Sequence, residues 1–391
     1  MTRFVHTADL QLGAPFARLP QKNRARVQNQ RFETFEKVLA LASERDAEFV
    51  LVAGDLFDAN TVSRDLVAWA CSIIHAAGVP VYVIPGNHDH GGHDSVYRQG
   101  YFHQHAPQNL YVLLDREPVV VAEGQLVAEG QVVLLPAPLT ARNPVGDTTQ
   151  HLTAELGRES APDAVRIGVA HGATEDFGDE TQSTNPIDPG VVERARLDYL
   201  ALGDWHGRKE VTPRVFYSGT PEPDRFKSND PGHVLVVDIP APGTPPKVES
   251  VQVGAFNWLR HEAQLRDERD LDALASWLEG IQRPDHTLLR LELQGSLDAE
   301  QNTRLQALLD HARASLVHLR ERGPGVKVRL SQQTLSSLPL EGFVKATVDS
   351  LQARAEAEET HPEDAAVASQ ALQLFYRLYT ETTEPPSEDQ R

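Results

Sequence analysis

The chain has 391 residues, 40% hydrophobic and 24% charged, with one cysteine (Cys71) and a formal charge of −19. This composition excludes a collagen-like or low-complexity chain, and a single cysteine excludes an intrachain disulfide and disfavours a thiolate zinc site, so any metal is expected on oxygen and imidazole donors. The acidic excess argues against tight nonspecific nucleic-acid binding, which depends on Lys and Arg neutralising phosphates.

In chain order, Phe4 to Thr7 reads as a buried strand and Asn23 to Asp46 as a helix with Val27, Phe35, Val38, Leu39 and Ala42 at helical spacing. A strand Phe49 to Ala53, a helix around Arg64 to Ala77 and a strand Val81 to Ile84 complete a βαβαβ start. Short apolar runs follow at Tyr111–Leu114, Val119–Val121, Val132–Leu135, Val165–Ala170, Tyr199–Leu202, Val215–Tyr217 and Val234–Val237. Their close spacing predicts a hairpin-rich second half, so a two-sheet α/β sandwich fits better than one doubly wound sheet.

The run Pro240 to Pro246 (PAPGTPP) reads as a Pro-rich linker, with one more apolar run at Val248–Val253. The first domain is placed at 1–254. A smaller α+β domain at 255–335 contains a helix around Leu271–Gly280, a strand Leu289–Leu293, a helix opened by a capping-box-like Asp298 and Gln301, and a strand Val326–Leu330. A helical segment covers 336–381, with patterns over Leu338–Ala357 and Ala365–Tyr379, and a polar tail at 382–391 is expected to be disordered. No apolar stretch approaches the ~20 residues of a membrane span, and MTRFVHTAD holds no apolar signal core, so a cytoplasmic protein without membrane association is expected.

Chemistry-bearing residues follow the carboxyl ends of the apolar runs: His6-Thr7-Ala8-Asp9-Leu10-Gln11, Gly54-Asp55, Gly86-Asn87-His88-Asp89, His171-Gly172 and Gly203-Asp204-Trp205-His206. Ligands gather outside the carboxyl ends of strands in α/β sheets, so segments far apart in sequence can converge there. Carboxylate, amide and imidazole donors suit oxygen-preferring and borderline divalent ions such as Mn²⁺.

These segments, in this order, resemble the calcineurin-like metallophosphoesterase superfamily, whose pattern is D-x-H, G-D, G-N-H-[DE], G-H or H-G, and G-H-x-H. The resemblance covers roughly the first 240 residues. H-T-A-D-x-x-L-G at the start and Y-S-G-T-P-E after the last motif look most like the DNA-repair nuclease branch that includes the SbcCD nuclease subunit. The resemblance implies a two-sheet αββα metallophosphoesterase sandwich over 1–254, with the 255–335 module as a capping domain. It also implies two Mn²⁺ ions, with Mg²⁺ or another divalent ion as the alternative. Asp55 would bridge them; Asp9, Gln11 and His206 would complete one metal site, and Asn87, His171 and Asp204 the other. His88 would contact the scissile phosphate, Asp89 would orient His88, and water would be the nucleophile.

Two positions depart from the pattern, since Gln11 and Asp204 stand where histidines usually stand. Both replace nitrogen with oxygen donors, which favours Mn²⁺ or Mg²⁺ over Zn²⁺. Gln11 also resembles a stand-alone subgroup of manganese-dependent DNA endonucleases found in gene clusters with an Lhr-type helicase and a DNA ligase. The leading expectation is therefore a manganese-dependent single-strand DNA endonuclease of DNA repair, acting as a monomer, or alternatively a dimer, beside a helicase and a ligase. The alternatives are a nuclease subunit of an SbcCD-like complex, a small-molecule phosphodiesterase, and a degenerate site that only binds.

Other polar residues have plainer readings. His6 is read as a hydrogen-bonded core histidine or a support behind Asp9, and His90, His93, His103 and His105 as loop residues. Trp205 is read as packing, the helix Ala365–Tyr379 as packed on the body, and Arg208 and Lys209, directly after the last motif, as able to reach a DNA backbone.

Overall fold

The computed structural model describes residues 1–121, 132–156, 163–174, 185–329, 338–356 and 361–383. The chain divides into two compact units, Met1–Asn257 and Trp258–Arg391. In the first, the apolar runs form strands β1 (Thr2–Thr7), β2 (Phe49–Val52), β3 (Val81–Val83), β4 (Leu110–Val112), β5 (Val119–Val121), β6 (Val132–Ala137), β7 (Val165–His171), β8 (Tyr199–Gly203), β9 (Lys209–Thr212), β10 (Val215–Tyr217), β11 (His233–Ile239) and β12 (Lys247–Gln252). They make two six-stranded sheets, ordered β12-β11-β1-β2-β3-β4 and β5-β6-β7-β8-β10-β9.

Side chains alternate across each strand, and this alternation builds the layers. Phe4, Phe49, Leu51 and Ile84 of the first sheet share a buried cluster with Leu134, Ile167, Val169, Tyr199 and Phe216 of the second. Phe4 stacks on Phe49 at 5.0 Å between ring centroids and meets Tyr199 edge-on at 5.5 Å. The opposite face of the first sheet, Val5, Val50, Val52, Val81 and Val83, packs against Phe35, Val38 and Leu39 of helix α1 (Gln21–Glu44) and Val67 and Ile74 of α2 (Arg64–Ala77). Ser63 caps α2 by accepting a bond from the Leu66 amide. After the short helix α3 (Gly100–His105), the outer face of the second sheet buries Leu135, Leu200, Leu202 and Tyr217 with Val191, Val192 and Ala195 of α4 (Val191–Ala195). This is the α/β two-sheet sandwich expected from the sequence.

The second sheet differs from the hairpin-rich expectation: β6, β7, β8 and β10 run parallel, and only β5 and β9 pair antiparallel at its edges. The long connections 138–164 and 172–198 allow this, because parallel neighbours need crossovers of a dozen or more residues. Strand β9 was not expected; KEVT has one apolar residue and lies at a sheet edge, where burial leaves no periodic signal. The PAPGTPP segment is the turn of the antiparallel β11–β12 hairpin rather than a linker between domains.

In the second unit, β13 (Asn257–Leu265), β14 (Thr287–Asp298) and β15 (His318–Arg329) form a three-stranded sheet packed with α5 (Glu268–Glu279) and α6 (Ala299–Ser315) through Leu265, Leu271, Leu274, Leu289, Leu291, Leu305 and Leu309. The Asp298–Gln301 capping box is formed in both directions. Helices α7 (Gly342–Glu356) and α8 (Pro362–Thr383) pack together through Val348, Leu372 and Phe375. The first two residues of the expected disordered tail, 382–383, end α8, and 384–391 lie outside the described residues, as does Leu330.

Candidate metal centre

Every expected ligand lies just past, or at, the carboxyl end of a parallel strand. Asp9 and Gln11 follow β1, Asp55 follows β2, Asn87 follows β3, His171 ends β7 and Asp204 follows β8. The first two loops run side by side: the Asp9 amide donates to the Gly54 carbonyl (3.1 Å), Gln11 to Asp55 (2.8 Å) and Leu12 to Leu56 (2.9 Å). Bonds cross between the sheets at this end, among them those from His171 Nδ1 to the Ala53 carbonyl (2.8 Å) and from the Asp204 amide to Asp9 Oδ1 (3.2 Å). The seam between the sheets is therefore closed by the residues that carry the chemistry.

The backbone is strained at the same place. Asp9 (φ 54°), Gln11 (φ 43°), Asp55 (φ 55°) and Asp204 (φ 92°) all adopt positive φ. Non-glycine residues hold this region only where their surroundings impose it, and such strain gathers at functional sites. Glycine is needed beside them. A Cβ on Gly86 would lie 2.1 Å from Asp55 Oδ1, and one on Gly54, at φ 94°, would lie 2.1 Å from His171 Nδ1.

Asp55 is the hub. Its Oδ2 receives Gln11 Nε2 at 3.2 Å and lies 3.7 Å from His171 Nε2, while its Oδ1 accepts the His88 amide at 2.9 Å. With Nδ1 turned to the Ala53 carbonyl, His171 presents Nε2 inward, 3.2 Å from Asn87 Oδ1 and 3.8 Å from Asp204 Oδ1. His206 Nε2 stands 3.4 Å from Gln11 Nε2 and 3.9 Å from Asp9 Oδ1. Asp9, Asp55 and His171 each offer a donor atom within 4.8 Å of the others'. Asp9, Gln11, Asp55, His171 and His206 are buried; Asn87, His88 and Asp204 are partly exposed and form the mouth.

The expected support of His88 by Asp89 is not formed. Asp89 is buried, and its oxygens accept bonds from the Gly86 amide (2.8 Å), the Phe57 amide (3.1 Å) and the Tyr97 hydroxyl, which tie the Asn87 loop to the Asp55 loop. His88 Nδ1 instead meets the Asp58 carbonyl at 2.7 Å and the Asp58 carboxylate at 3.7 Å. Asp58 is thus the residue that orients His88, three positions after Asp55 on the same loop.

The sequence comparison agrees with this geometry. The family model described as calcineurin-like phosphoesterase matches residues 2–207, more than half of the chain. The chain belongs to the calcineurin-like phosphoesterase family. Members are metal-dependent hydrolases of phosphoesters, and this chain carries Asp9, Asp55 and His171 as a candidate metal group. It is 28% identical over 246 residues to the uncharacterized metallophosphoesterase YhaO of Bacillus subtilis strain 168, across 60% of this chain and 56% of that protein. The match thus spans little more than half the length of that relative. The crystal structure of TT1561 of Thermus thermophilus is 12% identical, with a TM-score of 0.40 over 64% of this chain and 99% of the other.

Several residues that hold this site were given no individual role from the sequence. Arg31 of α1 is buried and donates to the Asp9 carbonyl (3.0 Å), the Leu10 carbonyl (2.9 Å from Nε) and the Glu222 carbonyl (3.0 Å). Thr220 Oγ1 donates to the Asp9 carbonyl at 2.9 Å. Glu222 accepts from Thr34 Oγ1 (2.5 Å) and from the Ala255 and Phe256 amides (2.9 Å each). The Tyr217 hydroxyl donates to the Gly172 carbonyl at 2.8 Å behind His171. The Y-S-G-T-P-E segment therefore braces the ligand loops. Arg31 was findable, because it falls between Val27 and Phe35 on the buried stripe of α1.

His6 bonds the Tyr199 hydroxyl through Nδ1 at 2.9 Å, and burial lowers its pKa to about 3. It is a neutral core histidine, and the bonds on Asp9 come from Asp204, Thr220 and Arg31. Arg208 pairs with Asp230 at 2.8 Å, Lys209 opens β9, and Lys227 lies 4.3 Å over the Trp205 ring.

The electrostatics fit a cation site. Burial, with Asp55 and Asp204 adding to it and His206 and His171 opposing, raises Asp9 to about 6. Burial and Asp55 likewise raise Asp89 to about 6. Burial disfavours the His171 cation, but Asp55, Asp9 and Asp204 outweigh it and raise His171 to about 9. The carboxylates here outnumber the imidazole that neutralises them, and a divalent cation supplies the remaining positive charge. Ligation needs His171 neutral, so cation uptake at pH 7 should release about one proton, and affinity should rise with pH towards about 9. Calorimetry of manganese binding in buffers of different ionisation enthalpy measures this; a heat independent of buffer would contradict it.

Proposed function

We propose that this phosphoesterase is a two-metal phosphodiesterase that cleaves DNA, single strands above all, with manganese as its working ion. The observation that carries the metal reading is Asp55, a buried carboxylate with donors from three other loops around its two oxygens. Asp55 would be shared, with Asp9, Gln11 and His206 on one side and Asn87, His171 and Asp204 on the other. Two divalent cations, when bound, supply Lewis acidity and bring the pKa of a coordinated water into a usable range.

The chain's own residues do the rest. The Ala53 carbonyl holds the Nδ1–H of His171, so that once Nε2 gives up its proton its lone pair faces the cluster. Asp58 holds Nδ1 of His88, which leaves Nε2 for a phosphate oxygen at the partly exposed mouth. There it stabilises charge gained by the phosphate or protonates the leaving oxygen. Gln11 offers an amide where an imidazole would bring a second ring nitrogen, and both Gln11 and Asp204 favour manganese or magnesium over zinc.

The DNA assignment is supported by the H-T-A-D-x-x-L-G and Y-S-G-T-P-E segments and by the oxygen-rich donor set. A charge of −19 leaves the cations as the main attraction for phosphate, so contact is brief and metal-dependent. Arg208 and Lys209 flank the last loop, and a backbone contact through Arg208 would use donors that its pair with Asp230 leaves over. A repair helicase and a ligase are the partners this reading implies.

The test is incubation of the pure protein with circular single-stranded DNA, blunt duplex DNA and bis-p-nitrophenyl phosphate, each with manganese and with chelator. The expected result is manganese-dependent opening of the circle. An intact circle beside degraded duplex ends or consumed small diester would sink the single-strand endonuclease reading.

A further inference from the structure

His206 differs from His171 in how its outer nitrogen is held. His171 Nδ1 meets a backbone carbonyl, whereas His206 Nδ1 lies 2.9 Å from Asp224 Oδ2, on the loop directly after the Y-S-G-T-P-E segment. The Asp224 side chain is 11% exposed and also takes Arg225 Nη2 at 2.9 Å. Arg225 Nη2 stands 2.8 Å from His206 Nδ1 and 3.2 Å from Nε2. A donor in the ring plane at Nδ1 would be far from Nε2, so these near-equal distances place the guanidinium over the ring face. Of the two groups beside Nδ1, only the carboxylate, at 2.9 Å, can accept from a ring N–H.

Donation to Asp224 needs a proton on Nδ1, and the neutral ring then carries its lone pair on Nε2, the atom directed at Asp9 and Gln11. We propose that Asp224 is a positioning residue that fixes the tautomer and aim of His206, with Arg225 clamping Asp224 and the ring together, so that one cation position depends on the Asp224 loop. This rests on the reading of His206 as a metal ligand. A carboxylate behind a ligating histidine sets ring orientation and raises ligand basicity, and its loss typically weakens metal binding by roughly 10–100-fold. The loop is also tied to Asp9 from its other end, through Thr220 and through Arg31 on the Glu222 carbonyl. Asp9 and His206, on one proposed cation, are thus braced by a single segment.

The experiment is manganese titration of the metal-free full chain by calorimetry, with melting temperature followed in parallel, for Asp224→Ala, Asp224→Asn, His206→Ala and the parent. Asn keeps an oxygen that accepts from Nδ1–H, so Asp224→Asn should bind within a few-fold of the parent. Asp224→Ala should weaken one of the two binding events by roughly 10–100-fold, leaving the other and the metal-free melting temperature close to the parent. Long-range ¹H–¹⁵N spectra of the imidazoles, with His206 assigned by difference from His206→Ala, should show the Nδ1–H tautomer in the parent and in Asp224→Asn and lose it in Asp224→Ala. The proposal is overturned if Asp224→Ala binds manganese like the parent, or if it loses both events together with a matching fall in metal-free melting temperature, which would make Asp224 a fold residue. His206→Ala separates the two levels: if it keeps both binding events, the ligand reading itself has failed, whereas if it loses one that Asp224→Ala keeps, only the positioning role is wrong.

Discussion

Replacing Asp55 with alanine should lower turnover by at least ~10³-fold on every substrate, because the several kcal/mol that a shared cation pair contributes to charge stabilisation go with it. The effect should be this large because Asp55 meets donors from the Gln11, His88 and His171 loops at once. Metal content should fall below two ions per chain. The variant should fold, since the Asp55 backbone keeps its bond to the Gln11 amide and the inter-sheet core does not include its side chain. Metal analysis beside the nuclease assay checks this, and undiminished cleavage would remove Asp55 from its central place.

His88→Ala should act differently, slowing turnover by roughly 10²–10⁴-fold while leaving metal content at the parental level. The ring is held by Asp58, away from the donor atoms, and the one bond from His88 to Asp55 comes from its backbone amide, which alanine retains. Steady-state kinetics and metal analysis on one preparation separate the two effects. A His88→Ala protein that lost its metal would place His88 among the ligands instead of at the phosphate.

The legible part of the fold is the part with strong periodicity. Buried runs such as Phe49–Val52, unbroken, and Val165–Ala170, broken only by Arg166 and Gly168, are marked by apolar residues, and their carboxyl ends locate Asp55 and His171 from sequence pattern alone. Gln11, Asp9 and His171 lie around Asp55, with Asn87 and Asp204 beside His171 and His206 beside Gln11 and Asp9. What the sequence concealed depends on direction and distance. Strand polarity in the second sheet is set by long connections whose path no local pattern encodes, and the edge strand β9 buries too little to show a period.

The supports of the site were concealed for the same reason. Asp89 and Asp58 are both acidic and both near His88, and only their three-dimensional placement shows that Asp89 is spent on Gly86, Phe57 and Tyr97 while Asp58 meets the ring. Asp224 lies 18 positions from His206 by numbering, yet its carboxylate is 2.9 Å from the ring in space. Arg31 was different, since an arginine on the apolar stripe of α1 announces a buried task that its spacing alone reveals. Its guanidinium carries no carboxylate bond among the described residues, and it spends its donors on the carbonyls that set the Asp9 loop.

The most direct test is a crystal structure of manganese-soaked protein with anomalous data collected at the manganese edge. Two peaks about 3.5–4 Å apart, with an Asp55 oxygen between them, are the expected result. A single peak, or peaks away from Asp55, would contradict the shared-carboxylate account.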